Sequence, residues 1–103
     1  MKFGLSEEVQ SALCAVFSHY PEIRQVLVFG SRAKGTFRDG SDIDLAVFAP
    51  DMTQDRFQCL WTELDTVPLV FKMDVLHWDT LANARLKEKI LHEGRVFYSP
   101  EPL

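Results

Sequence analysis

The sequence predicts an α/β (α+β) fold in which one small mixed β-sheet is flanked by helices. Three apolar runs have the length of buried strands: Gln25–Phe29, Ile43–Phe48 and Leu69–Leu76. The segments around them carry apolar residues at every third or fourth position, which is typical of amphipathic helices. The connection between the first two strands is short and holds little helix, so these strands can be antiparallel and the sheet mixed. This order of elements predicts a sheet covered by helices.

Two helices before the third strand are indicated by apolar spacing and by capping residues. Apolar residues recur at helical spacing from Leu5 to Tyr20, with Ser6 as the N-cap and Pro21 as the stop. The segment Thr53–Asp65 predicts an amphipathic helix, because its apolar residues fit i, i+3, i+4 and i+7 without a miss.

The last helix is predicted to begin at Asp79 or Thr80, either of which can cap it. Gly94 is placed as its C-terminal cap, and Val96–Tyr98 can add a short final strand. The core residues expected from this helix are Leu81, Ala82, Leu86, Ile90 and Leu91. Its Lys and Arg residues are assigned to a solvated polar face.

Composition bounds the organisation of the chain and its partners. With 103 residues, of which 47% are apolar, we expect a single domain over residues 1–103 and a loose tail over 99–103. The net charge of −4 argues against a surface that binds many nucleic-acid phosphates, so no direct nucleic-acid partner is expected. Neither a signal-peptide core nor a membrane-length apolar stretch is found, so we expect no membrane contact and a cytoplasmic protein.

Acidic residues stand where buried strands begin or run. Side chains alternate along a strand, so Asp42 and Asp44 point to one face and Ile43 to the other. Two neighbouring carboxylates repel each other unless a cation lies between them, and Mg²⁺ prefers such oxygen ligands. Asp74 lies inside the third apolar run, where burial of a lone carboxylate would be costly. A metal cluster of these three acids explains the pattern better than three solvated turns.

The turn after the first strand has the composition of a phosphate-binding turn. Gly30 allows close approach to the backbone, Ser31 offers a hydroxyl, and a helix that starts here presents backbone N–H groups. Arg32, Lys34 and Arg38 supply positive charge, with Arg32 the best placed to reach a triphosphate. A phosphate-binding turn beside a metal-binding acid pair predicts chemistry on a nucleoside triphosphate.

Gly30-Ser31, ten intervening residues and Asp42-x-Asp44 resemble the signature of the DNA polymerase β-type nucleotidyltransferase superfamily. More narrowly, the chain resembles the minimal nucleotidyltransferases, which are encoded beside a HEPN-domain partner. The resemblance covers nearly the whole chain, including its Gly94–Tyr98 ending. It implies the palm fold of that superfamily, with Asp74 as the third acid.

The resemblance also implies a function. The chain would use two Mg²⁺ ions, held by Asp42, Asp44 and Asp74, to move AMP from ATP to a tyrosine hydroxyl of a HEPN ribonuclease toxin. It would thereby act as the antitoxin of a hetero-oligomeric toxin–antitoxin pair. Two alternatives stay open. The chain could be a nucleotide-binding module that neutralises its partner by contact, or a transferase acting on a small-molecule hydroxyl with a separate substrate-binding subunit.

Three aromatic or imidazole side chains are weighed as further members of the site. His77 follows Asp74 closely enough to line a nucleotide pocket, but it is interpreted as a surface or edge residue. Trp61 falls on the apolar face of its helix and is assigned to the core. Trp78 remains a candidate for stacking on a base.

Overall fold

The computed structural model describes residues 2–36, 42–69 and 71–100. Helices and strands alternate through this part of the chain. The helices are α1 (Glu7–Ser18), α2 (Ser31–Lys34), α3 (Gln54–Leu64) and α4 (Ala84–Glu93), and the strands are β1 (Gln25–Phe29), β2 (Ile43–Phe48), β3 (Met73–His77) and β4 (Arg95–Tyr98). Single 3₁₀ turns at Lys2–Gly4 and Trp78–Thr80 precede α1 and α4. Within these residues, no helix is both long and apolar enough to cross a membrane.

The four strands form one sheet in the order β3-β2-β1-β4. β1 is antiparallel to both β2 and β4, whereas β2 and β3 run parallel. The predicted mixed sheet flanked by helices is therefore confirmed, as is the antiparallel pairing of the first two strands. The parallel pair matters most for the site, because it brings the same ends of β2 and β3 together.

The sheet has two unlike faces. On one face, Val28 and Leu45 pack in the main core, which α1 and α3 complete with Phe17 and Leu60. On the other face, Leu27, Phe29 and Ala46 form a smaller cluster with Ile90 of α4. Side chains alternate between these faces along each strand. The smaller cluster leaves part of its face uncovered, at the end of the sheet where β2 and β3 begin.

The first and third helices agree with the sequence. Ser6 caps α1 by accepting a hydrogen bond from the Val9 N–H at 3.2 Å. Thr53 caps α3 in the same way, accepting from the Arg56 N–H at 3.2 Å, and α3 ends at the C-cap Asp65. Both predicted segments and both predicted starts are confirmed.

The predicted start of α4 is wrong. Asp79 and Thr80 belong to a 3₁₀ turn, and Asn83 caps the helix by accepting from the Leu86 N–H at 3.1 Å. Asp79 is engaged elsewhere, because its Oδ2 accepts the Ala49 N–H at 2.8 Å. The carboxylate thus joins the end of β2 to the end of β3.

The predicted core face of α4 is right in part. Ile90 is fully buried and Leu86 packs against the smaller cluster, but Leu91 is 58% exposed. Successive residues of a helix differ by about 100° in direction, so Leu91 points away when Ile90 faces the sheet. Ala82 precedes the helix and is exposed, whereas Leu81 packs against the cluster from the same connection. Gly94 is the C-cap as predicted, and its N–H donates to the Ile90 carbonyl at 2.7 Å.

The third strand is shorter than the apolar run that predicts it. β3 begins at Met73, which is the register partner of Ile43, the first residue of β2. A strand extends only as far as its neighbour offers backbone partners, and the pairing of β3 with β2 begins at Met73 and Ile43. The Ile43 N–H donates to the Lys72 carbonyl at 2.9 Å and marks the edge of this pairing.

Candidate active site

Two predicted site residues are direct neighbours across the parallel strand pair. Asp44 of β2 is the register partner of Asp74 of β3, so their side chains project from the same face of the sheet. Asp44 is also the register partner of Phe29 in β1, which places it on the face that α4 partly covers. Asp42 lies two residues before Asp44, just outside the strand, and is exposed. The sheet therefore places the carboxylates of Asp44 and Asp74 side by side, and Asp42 lies two residues before Asp44 in the chain.

The three acids interact electrostatically. The pKa of Asp44 is raised above its ordinary value, first by burial and then by the negative charges of Asp74 and Asp42. Lys89 of α4 acts in the opposite direction and lowers it. A raised carboxyl pKa means that the protein environment disfavours the ionised form of the carboxylate. A cation bound beside it would favour the ionised form and lower the pKa again.

Asp42, Asp44 and Asp74 are the candidate ligands for a metal ion. Among the described residues, no group of three His, Cys, Asp or Glu side chains is arranged to hold one. The chemistry of the donors nevertheless fits Mg²⁺, which binds through one or two carboxylates and completes its ligands with water and substrate phosphates. Burial, and then the charges of Asp74 and Asp42, raise the pKa of Asp44, and a cation bound between these oxygen ligands would offset both effects. The metal roles of Asp42, Asp44 and Asp74 stay predictions.

The glycine turn lies against the acids. Gly30 has φ 76° and ψ −152°, a conformation that is essentially restricted to glycine. A Cβ atom built on Gly30 would lie 2.6 Å from Oδ2 of Asp44, so the residue has no room for a side chain. Ser31, partly exposed, starts the single turn of α2 immediately afterwards. The predicted phosphate-binding turn and the acids therefore share one site, while phosphate binding itself stays a prediction.

Arg32 is engaged in the structure of the turn. Its side chain is buried, Nη1 donates to the Phe3 carbonyl at 2.8 Å, and the guanidinium lies 4.6 Å from the centre of the Phe71 ring. These contacts hold α2 against the N-terminal 3₁₀ turn. Contact of Arg32 with a triphosphate stays a prediction.

Lys34 is engaged in an ion pair. Its Nζ lies 2.6 Å from Oε1 of Glu93, at the end of α4, which joins the helix after the turn to the helix on the open face. Sequence reasoning missed Glu93, because a carboxylate near a helix end gives no sign of a partner so far away in the chain. Contact of Lys34 with nucleotide stays a prediction, and Arg38 with its neighbouring turn Asp39–Gly40 lies outside the described residues.

The interpretation of His77 as a surface residue is wrong, although its strand β3 does lie at the edge of the sheet. The ring is only 7% exposed, its Nε2 lies 2.8 Å from the Ala49 carbonyl, and it stacks on Phe57 with centroids 5.1 Å apart. This imidazole points to the main core side of the sheet, because it is separated from Asp74 by an odd number of strand positions. His77 therefore does not line the acid site.

Of the two tryptophans, Trp61 packs against the main core, as expected. Trp78 stacks on Phe48 with ring centroids 4.6 Å apart, and Nζ of Lys87 lies 4.2 Å from the centre of its ring. Trp78 is thus already stacked within the protein. Its predicted role as a platform for a base has no support from these contacts.

Carboxylates on neighbouring strands beside a close glycine turn offer the oxygen ligands and the open backbone that phosphoryl-transfer chemistry requires. The chain matches the family described as polymerase beta, nucleotidyltransferase, over residues 12–102. Since the match spans most of its length, the chain belongs to the polymerase β nucleotidyltransferase family, and its class of enzyme is nucleotidyltransferase. Among curated proteins, no sequence matches the chain significantly.

Solved structures share the fold. A crystal structure of a toxin–antitoxin with AMP-PNP has 22% sequence identity and a TM-score of 0.70, over 89% of this chain and 74% of that one. A crystal structure of the toxin–antitoxin MntA-HepT has 19% identity and a TM-score of 0.60, over 91% and 73%. A putative nucleotidyltransferase from Sulfolobus solfataricus has 19% identity and a TM-score of 0.56, over 94% and 92%. At these identities the likeness concerns the fold.

Proposed function

We propose that this nucleotidyltransferase is the antitoxin of a toxin–antitoxin pair and transfers AMP from ATP to a tyrosine hydroxyl of a HEPN toxin. The observation that carries the proposal is the placement of Asp44, beside Asp74 across the parallel strands and against Gly30 in the turn. The similar toxin–antitoxin structures, one with AMP-PNP and one named MntA-HepT, support the choice of nucleotide and partner.

All three acids would bind metal in this reaction, and Asp74 would have a second task. Asp42 and Asp44 would hold one Mg²⁺ and Asp74 a second, and these ions supply charge neutralisation on the triphosphate and activation of the attacking hydroxyl. Asp74 stands on the edge strand β3 and is exposed, so it can accept the proton of an incoming hydroxyl. The hydroxyl oxygen forms a bond to the α-phosphorus while the bond from that phosphorus to the bridging oxygen breaks.

The turn receives the leaving group. In this proposal pyrophosphate departs on the side of Gly30 and Ser31, where α2 begins and its backbone N–H groups can interact with phosphate oxygens. The close approach of Gly30 to Asp44 keeps the metal-binding acids and the phosphates within one small volume. In this proposal the acceptor is the tyrosine hydroxyl of a second protein, the HEPN toxin.

The test uses ATP labelled at the α-phosphate, Mg²⁺ and the product of the neighbouring reading frame. We expect label on that protein when it carries a HEPN-type Arg-x4–6-His motif, and no label with Asp44→Ala. Asp51→Ala is the matched control, because it removes an exposed carboxylate near the opposite end of the sheet. Replacement of the acceptor tyrosine by Phe must abolish labelling.

Protection of cells separates catalysis from contact. If Asp44→Ala loses label transfer and protection together, neutralisation is enzymatic. Retained protection by that variant would instead establish a module that neutralises its partner by contact. Label on a small molecule, with none on the toxin, would overturn the proposed acceptor.

A further inference from the structure

Helix α4 lies across the face of the sheet that carries the acids. Its buried residue Ile90 packs with Leu27 and Phe29 of β1. Phe29 is the register partner of Asp44, so the helix covers the positions next to the acid on the same face. The flank of α4 that faces the first residues of β2 and β3 therefore faces the candidate active site.

Lys89 lies on that flank. Lys89 and Glu93 are four residues apart and share one side of the helix. Glu93 pairs with Lys34 in the helix after the turn, and the turn itself lies against Asp44. The ion pair between Glu93 and Lys34 therefore holds this side of α4 facing the Gly30 turn. In agreement with this placement, the charge of Lys89 lowers the pKa of both Asp44 and Glu93.

Three other cations near the site, among the residues that the structure describes, are engaged with protein groups. Arg32 is buried against Phe71 and the Phe3 carbonyl, and Lys34 is paired with Glu93. Lys87 lies over the ring of Trp78. Lys89 is exposed and forms no hydrogen bond or ion pair with any residue in the described part of the chain.

We propose that Lys89 contacts the β- and γ-phosphates of the nucleoside triphosphate, which AMP lacks, and is a substrate-binding residue of this enzyme. The inference rests on the proposed function, because it needs a triphosphate beside Asp44. An ammonium group on a flexible four-carbon stem suits this task, since it can follow the phosphates as a mobile point charge. Sequence reasoning assigned Lys89 to a solvated face, because the chain alone does not show which flank of α4 faces the acids.

The experiment compares Lys89→Gln with Arg85→Gln by calorimetric binding of Mg²⁺-ATP and of AMP. Arg85 is exposed on the same side of α4, one turn farther from Glu93, and its replacement removes the same charge. We expect Lys89→Gln to weaken ATP binding by about tenfold or more, the size of a charge-assisted hydrogen bond. AMP binding should change less than twofold, and Arg85→Gln should bind both as the original chain does. Lys89→Arg should retain most of the ATP affinity.

The possible results of these binding measurements distinguish failure of the inference from failure of the proposed function. Equal ATP affinity of Lys89→Gln and the original chain would overturn the inference and leave the proposed function standing. Parallel loss of ATP and AMP affinity would also overturn it, since that pattern indicates a structural role, which thermal melting would detect. If the original chain binds no ATP with Mg²⁺ in excess, the proposed function fails and the inference fails with it.

Discussion

At the scale of single residues, the close approach of Gly30 to Asp44 leaves no room for any residue other than glycine at position 30. Gly30→Ala places a methyl group 2.6 Å from Oδ2 of Asp44 in a backbone conformation that side chains avoid. We expect a loss of about 1–3 kcal/mol in the free energy of unfolding from the backbone conformation alone. Displacement of the carboxylate should also abolish Mg²⁺-ATP binding. Urea unfolding and calorimetry measure the two effects.

Gly35 offers the control for this change. It also has a positive φ, of 80°, but an added Cβ would meet nothing within 4 Å. Gly35→Ala should cost about 1–2 kcal/mol for its left-handed backbone and leave nucleotide binding intact. Equal loss of binding in the two variants would contradict a specific role for the Gly30–Asp44 contact.

Asp44 itself should reduce the stability of the empty protein. Its pKa is raised by burial and by Asp74 and Asp42, so the fold favours the protonated form. The stability gained from that preference is present at acid pH and is lost as pH rises through the raised pKa. In metal-free buffer at pH 7, Asp44→Asn should therefore melt at a higher temperature than the original chain. The difference should shrink toward about pH 4, the ordinary range of an aspartate.

At the scale of elements, the start of α4 depends on one cap. Asn83→Ala removes the acceptor for the Leu86 N–H and should lower the free energy of unfolding by about 1 kcal/mol. Thr80→Ala is the comparison, because it removes only the hydroxyl hydrogen bond to the His77 carbonyl outside the helix. Chemical denaturation of both variants distinguishes them. A larger loss in Thr80→Ala would contradict the helix start at Ala84.

The errors at this scale have one cause. Local patterns give the kind of element and most of its bounds, as in α1 and α3, because caps and apolar spacing act within a few residues. They do not give the partner of a side chain. Asp79 reads as a cap but binds the distant Ala49 N–H, and His77 reads as exposed but bonds the Ala49 carbonyl. Both depend on the meeting of β2 and β3, which no local pattern shows.

The candidate site also has features that local sequence patterns predict and features that depend on tertiary contacts. Strand alternation predicts Asp42 and Asp44 on one face, although Asp42 lies just before β2, and the glycine turn follows from its residues. The pairing of Asp44 with Asp74 follows only from the parallel register of two strands that are distant in sequence. The contacts of Arg32 with Phe3 and Phe71 likewise bring together segments that are far apart in the chain. Sequence could place the acids, but tertiary packing decides which cations stay available to a ligand.

At the scale of the whole molecule, one face of the sheet packs in the main core and the other face carries the candidate active site. One face is sealed by α1 and α3 in the main core, while α4 covers the other only in part and leaves the acids open. A ligand that bridges Asp44, Asp74 and the turn would connect β1, β2 and β3 at their open ends. Ligand binding should therefore raise the free energy of unfolding of the whole sheet, and not only order one loop.

Mg²⁺-ATP should raise the melting temperature of the original chain for this reason. Ligand at one hundred times its dissociation constant adds about 2.7 kcal/mol, which corresponds to roughly 10 °C or more for a domain of this size. Removal of Mg²⁺ with EDTA should reverse the shift, and Asp44→Asn should show none, although it starts from a higher melting temperature. Asp51→Asn should keep the full shift, because this exposed residue lies away from the acids. A shift of equal size in Asp44→Asn would mean that the nucleotide binds elsewhere on the molecule, and the three acids would then lose their assigned role.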